Sequence, residues 1–259
     1  MVTSIRERAA ISDEDLTRML ALMKSADSVE LKLTVAASAQ RATVDGLKID
    51  PLDAQIRQVF FLDTPDQRLN AAGVILRARR VQGKRGDSTV KLRPVVPSEL
   101  PGALRKTPGF GVEVDAMPGG YVCSASLKNV IDNQAARDAT AGKLPIRKLF
   151  SRDQRAFYQM HAPAGVALDD LRLLGPFFVL KVKWVPDGSA RPMTAEMWLY
   201  PDGSRILELS TKCIPGEAFQ VAAETRAFLS GRGVSLTGEQ ETKTRKALDF
   251  FAQASDGAT

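Results

Sequence analysis

Three stretches of this sequence carry basic residues at positions i and i+2 inside otherwise apolar runs. They are Arg77 and Arg79, Lys91 and Arg93, and Lys181 and Lys183. In an extended chain, side chains two apart point to the same side, so each pair marks a strand with one apolar and one cationic face. The 29–35 stretch (VELKLTV) has the same pattern, with Glu30, Lys32 and Thr34 on the polar side, and Glu113 and Asp115 share a face in 110–116. A chain built this way must either turn its charged faces to water or close them around an interior.

The pattern predicts about eight antiparallel strands. They are drawn from 29–35, 56–63, 74–81, 88–95, 110–116, 166–169, 177–185, 194–200 and 205–213, with Pro201, Asp202 and Gly203 as a turn. Helices are expected at 13–24, opened by Ser12 and Asp15 and carrying Leu16, Met19, Leu20 and Met23 at helical spacing. Others are expected over 124–141, where Leu127, Val130 and Ile131 share a side, over 217–230 and over 239–251, the last opened by Thr237 and Gln240, while 151–161 fits a helix or a strand that carries its two arginines. Regular β-α alternation is missing, as are a GxGxxG run and a P-loop, which disfavours a nucleotide-binding parallel sheet. The fold class expected is α+β. The expected organisation is a single domain over 1–259, with a core from about 27 to 250, an N-terminal helix at 13–24 and C-terminal helices within 217–251.

Composition narrows the function classes. Two cysteines, Cys123 and Cys213, stand 90 residues apart, and His161 is the one histidine, so a zinc site, a redox motif and a Ser-His-Asp triad all lack their residues. No apolar run approaches the about 20 residues of a membrane span, and Met1 to Ile11 has no apolar stretch behind it. The expectation is a cytoplasmic protein without membrane contact. The excess of 36 basic over 30 acidic residues favours anionic partners in general. Aromatics are 6% and are not interleaved with the basic strands, which argues against a nucleic-acid platform. Trp184 and Trp198 are expected to pack under helices, and Lys84 and Arg85 to form a solvated hairpin tip.

Taken strand by strand, a sheet with a solvated mixed-charge surface accounts for these faces. A closed interior would bury Glu30, Glu113, Asp115, Asp169, Glu196 and Glu208 with seven cations. That is tolerable only if the charges pair, stay wet or meet a ligand. Glu113 and Asp115 fit either metal or water-positioning ligands, or cross-strand partners of Arg77 or Arg79.

A resemblance favours the closed form. The 58–66 stretch (QVFFLDTPD), followed by Arg68, Leu69, Gly73, Leu76, Arg77 and Arg79, resembles the YFDTP…L…G…LRxR block of the CYTH superfamily, the triphosphate tunnel metalloenzymes. Glu30 and Lys32 resemble its ExExK strand, Thr89 to Lys91 its TVK strand, and Leu168, Asp169, Gly175 and Phe177 its LD…LG.F block. Thr242 and Lys243 resemble its C-terminal Ser-Lys. The ordered matches run from about 29 to 246.

The resemblance implies an eight-stranded antiparallel tunnel that binds a triphosphate-containing small molecule with Mg2+ or Mn2+. Lys32, Arg77, Arg79 and Lys91 are implied as catalytic and phosphate-contacting. Arg93, Lys181, Lys183 and Lys243 are implied as further substrate cations, with Arg152 or Arg155 supplying another. Glu30 and Asp169 are implied on the metal side, with Glu196 and Glu208 as replacements. The replacements are needed because Ser28 stands where the family has its first glutamate, and Lys181 and Lys183 where it has Glu-x-Glu. Activities expected are triphosphate hydrolysis, binding of a polyanion without turnover, or adenylate cyclisation.

Overall fold

The computed structural model describes residues 13–236, 240 and 243–256. The segment from Met1 to Ile11, the expected cap residues Ser12 and Thr237, and Thr242 lie outside the described residues. In chain order the elements are α1 (Asp13–Lys24), β1 (Ser28–Val35), α2 (Gln40–Gly46), β2 (Gln55–Asp63), α3 (Arg68–Ala71), β3 (Val74–Val81) and β4 (Gly86–Leu92). Next come β5 (Phe110–Met117), β6 (Gly120–Ile131), α4 (Asn133–Thr140), α5 (Arg152–His161), β7 (Arg172–Trp184), β8 (Met193–Leu199), β9 (Arg205–Cys213), α6 (Ala218–Gly231) and α7 (Lys243–Asp256).

The strands close into a barrel in the order β1-β5-β6-β4-β3-β2-β7-β8-β9. The expectation of eight antiparallel strands is corrected on two counts: among the described residues there are nine strands, and β1 runs parallel to β5, with Glu30 opposite Asp115. The strand that sequence reading missed is β6. Its segment carries two periods at once: Leu127, Val130 and Ile131 fit a helix, while Cys123, Ala125 and Leu127 alternate with Ser124, Ser126 and Lys128. Pairing decides. Gly119, at φ +89°, turns the chain back along β5, and β6 then bonds to both β5 and β4. Val130, which a helix would bury, is 56% exposed. Only Asn133–Thr140 of the expected 124–141 helix is helical.

The expected strand at 166–169 is a 3-10 turn over Leu168–Asp170, and β7 starts at Arg172, earlier than expected. Its register against β2 slips between Val59 and Phe61, beside Gly175. At φ +133° this glycine stands so close that a Cβ would lie 2.7 Å from the Val59 carbonyl oxygen, so the bulge admits no side chain.

Helices coat the outside in three apolar clusters. α4 and α5 cover β3, β4 and β6; α2 and α6 cover β1, β7, β8 and β9; α1 and α6 cover β1, β5 and β6. A fourth cluster lies within the barrel. Val59, Phe61, Phe177, Val179, Trp198 and Ile206 meet Ala247 and Leu248 of α7, so this helix lies across one end of the barrel. Trp184 packs in the outer coat as expected, whereas Trp198 faces inward and stacks on Phe61 at 6.3 Å. Among the described residues no helix is long and apolar enough to cross a membrane.

One polar residue fastens α5 to the barrel. Gln154, fully buried, donates to the Ser88 and Leu127 carbonyls at 3.1 and 2.9 Å and accepts from Ser88 Oγ at 2.9 Å. It also closes a capping box with Ser151. Gln154→Leu leaves these buried partners unpaired, and is expected to cost about 3 kcal/mol, read as a lower midpoint in denaturant.

Candidate active site

Alternation along the strands brings the charged faces inward around a cavity of about 240 Å3. The turn that aims β3 is built from the most recognisable motif in the sequence. Asp63 is buried, and its carboxylate accepts from the backbone N–H of Thr64, Leu69 and Asn70 at 2.7, 2.9 and 3.0 Å. It thereby holds α3 against the end of β2 and sets the direction in which the chain enters β3. Burial raises its pKa despite those bonds. The DTP motif is thus a structural clamp, and the residues it positions are Arg77 and Arg79.

The acidic part of the wall is the parallel seam between β1 and β5. Ser28 lies opposite Glu113 and Glu30 opposite Asp115, which gathers oxygens of Glu30, Glu113 and Asp115 within 4.8 Å of one another. Ser28 Oγ donates to Glu113 Oε2 at 3.3 Å, so a carboxylate from β5 stands beside position 28. Each carboxylate of the trio has a cation. Lys32 Nζ lies 3.1 Å from Glu30 and 2.8 Å from Asp115; Arg93 reaches Asp115 at 2.9 Å; Lys212 pairs with Glu113. Burial pushes the Asp115 carboxyl up, but Lys32, Lys91 and Arg93 outweigh it and hold it at about 2. Glu30 is likewise lowered against its burial, chiefly by Lys32, and Lys32 is raised by Asp115 and Glu30.

The opposite wall has an excess of positive charge. Arg77 on β3 is lowered to about 9 by burial and by Arg79 beside it. Lys91 on β4 is lowered to about 8, where burial exceeds the pull of Asp115 and Lys32 adds repulsion. Arg57 on β2 and Lys128 on β6 are lowered too, by burial and then by Arg79 and Arg77 respectively. In this group Arg79 pairs with Asp87 at 2.8 Å, and Lys91 lies 3.7 Å from Asp115, which it shares with Lys32 and Arg93.

A third group closes the α7 side. Lys243, half-buried, lies between Glu196 at 2.5 Å and Glu208 at 2.7 Å, and Lys181 holds the other oxygen of Glu196 at 2.9 Å. Burial lowers the Lys243 ammonium's pKa, but the two carboxylates overcome it and the net shift is upward.

Of the residues singled out in the sequence, Glu30, Lys32, Arg77, Arg79, Lys91, Arg93, Lys181, Glu196, Glu208 and Lys243 line this cavity. Three others do not converge there. Asp169 is on the outside, paired with Arg147; Arg155 sits on α5 and donates to the Phe150 carbonyl at 2.7 Å; Lys183 is exposed. Arg152 also belongs to that outer helix. Asp169 follows the buried Leu168 in its turn, so the LD pair anchors an outer loop. Arg57, Lys128 and Lys212 line the cavity but escaped sequence reading. The parity of Arg57 with Val59, of Lys212 with Glu208, and of Lys128 with Ser126 would have found them once β6 was taken as a strand.

Trios of carboxylate oxygens are the hard donors that Mg2+ and Mn2+ take, so Glu30, Glu113 and Asp115 fit such an ion in kind, with the Lys32 ammonium as its competitor.

No protein-family model matches the sequence, and no curated protein does. Solved structures do match. A proposed adenylate cyclase from Bacillus halodurans superposes with a TM-score of 0.57 at 14% identity, over 85% of this chain and 98% of that one. A proposed adenylyl cyclase from Hippeastrum, described as revealing a dominant triphosphatase activity, superposes with a TM-score of 0.61 at 18% identity, over 87% of this chain and 95% of that one. At such identities the likeness is one of fold. With its closed barrel and flanking helices, this chain shares the fold of these structures.

Proposed function

We propose that this chain is a divalent-metal-dependent phosphohydrolase that cleaves inorganic triphosphate or a triphosphorylated small molecule. One observation carries the reading: inside one small cavity, cations that lack carboxylate partners face a cluster of three carboxylates. Guanidinium and ammonium groups suit phosphoryl oxygens, and the excess on the β2-β3-β4-β6 wall matches a linear polyanion. The Hippeastrum relative's described triphosphatase activity agrees with it.

In this reading Arg77, Arg79 and Lys91 grip the phosphate chain and stabilise charge that grows on its oxygens during transfer. Lys32, tied to both Glu30 and Asp115, links that grip to the acidic seam. Mg2+ or Mn2+ held by Glu30, Glu113 and Asp115 would neutralise phosphoryl charge and polarise the bond under attack. Lys243, Glu196 and Glu208 fix the wall on the α7 side.

Binding without turnover is a second reading, favoured by the cations already seated on all three carboxylates. The experiment supplies purified protein with tripolyphosphate or ATP and Mg2+ or Mn2+, and tracks orthophosphate and cyclic AMP. Metal-dependent orthophosphate release from tripolyphosphate is expected. Tight binding with no product would replace hydrolysis by the second reading, and cyclic AMP from ATP would replace both by a cyclase.

A further inference from the structure

The helical coat of the barrel has a gap. Where the apolar cluster under α4 and α5 meets the one under α1 and α6 lies a cleft of about 630 Å3, larger than the inner cavity and outside the barrel wall. Volumes of this size hold small-molecule ligands. α1 contributes Arg18 and Leu22, the end of α5 contributes His161, and the connection after β4 contributes Val95, Val96 and Leu100. Val95 packs against both apolar clusters, so the cleft sits on their seam. Two successive residues mark its separation from the inner cavity: Arg93 turns inward to Asp115 at 2.9 Å, and Pro94 lines the cleft.

Three polar side chains of the lining are uncommitted. His161 Nε2 is buried without a hydrogen-bond partner among the described residues, and its ring stands edge-on to Phe157 at 5.2 Å. Burial lowers the imidazole's pKa and no charge offsets it, so the ring is neutral near pH 7. Arg18 and Glu99 are opposite in charge, and neither has an ion pair among the described residues. The Tyr121 hydroxyl, by contrast, is already used: it donates to the Asp15 carbonyl at 3.2 Å and ties α1 to β6. One cation, one anion and one neutral imidazole over an apolar lining do not suit the polyanion that the inner wall suits. They match a molecule that carries both charges itself.

We propose that this outer cleft is a second binding site, for a zwitterionic small molecule with a large apolar body, of the class of the apolar α-amino acids. The Arg18 guanidinium takes the carboxylate, Glu99 takes the ammonium, and the apolar body lies against Leu22, Val95 and Leu100. The His161 imidazole adds a hydrogen bond to the carboxylate. A ligand with only one of the two charges leaves Arg18 or Glu99 unmatched.

His161 is the sole histidine, so in a tag-free chain one imidazole signal reports on the cleft. NMR titration of the full chain with L-phenylalanine, phenylpropionate and phenethylamine tests the proposal, since the three probes share one apolar body. A saturable shift of the His161 signal is expected with L-phenylalanine, and about tenfold weaker binding with each singly charged analogue. Arg18→Gln and Glu99→Gln, both at exposed positions, are each expected to weaken L-phenylalanine by about tenfold. Val96→Trp, at a position 40% exposed, should fill the cleft and abolish the shift with the melting temperature unchanged. Excess tripolyphosphate should leave the shift in place. Absence of a saturable shift overturns the site, and equal binding of the three probes overturns the zwitterion class. Variants that bind like the wild type, or displacement by tripolyphosphate, overturn the outer location and leave the proposed function standing.

Discussion

Arg77→Met is expected to lower tripolyphosphate hydrolysis by about 10²–10³-fold in kcat, the usual loss when one preorganised donor is removed from a charge-stabilising site. Arg77 stands in the middle of the cationic wall and is half-buried by the strands around it. Among the described residues no carboxylate lies at ion-pair distance from it, so its donors are open to the substrate. Arg79 replaces it only in part, because Asp87 at 2.8 Å takes up much of its guanidinium. The ligand-free variant should fold at least as well as the wild type, since methionine ends the repulsion from Arg79. Initial rates at saturating tripolyphosphate, with a melt as control, check the prediction. A rate within a few-fold of wild type would remove Arg77 from the reaction.

The largest effect on stability is expected at Lys243. Lys243→Met leaves Glu196 and Glu208, paired across β8 and β9, buried side by side without the ammonium that separates them. Breaking a buried charge pair by removing one partner costs about 3–5 kcal/mol, visible as a lower denaturant midpoint. Adding Glu208→Gln should recover part of the loss, because one of the stranded charges disappears. The effect has a pH signature. Burial alone would raise the Glu196 carboxyl, but Lys243 and Lys181 hold it well below 4.5. Its contribution is therefore present above about pH 4.5 and is lost as pH falls through its lower native value. Lys243 is raised above 10.5, so its contribution is present below that value and is lost as pH climbs through the native one. The difference between wild type and variant should be widest between these limits and shrink in strong acid.

How much of this was legible in the sequence differs from strand to strand. Arg77, Arg79 and Lys91 sit in strands whose alternation is unbroken, so parity alone placed them on one face. β6 was illegible because Cys123 to Ile131 satisfies two periods, and only its neighbours on both sides choose between them. The meeting of Ser28 with Glu113 lay beyond reach for another reason. The two residues are 85 apart in the chain and meet through a parallel pairing that no local pattern announces. Asp169 shows the opposite error: its motif is visible in the sequence, but a motif does not reveal whether its carboxylate serves a ligand or, as here, fastens a loop through Arg147.

That parallel seam also bears on the order in which the molecule assembles. β1 must find β5 across some 85 residues and β9 across 184, as the Ser28–Glu113 and Val29–Cys213 contacts show. Contacts so distant along the chain are entropically costly to close and slow to form. Glu30 and Lys32 ride on β1, so docking that strand both completes the acidic cluster and shuts the interior. Up to that step the arc from β2 to β6 can carry its arginines and lysines in contact with solvent, and their dehydration is deferred to the moment of closure. The acidic cluster and the closed ring share this one pairing.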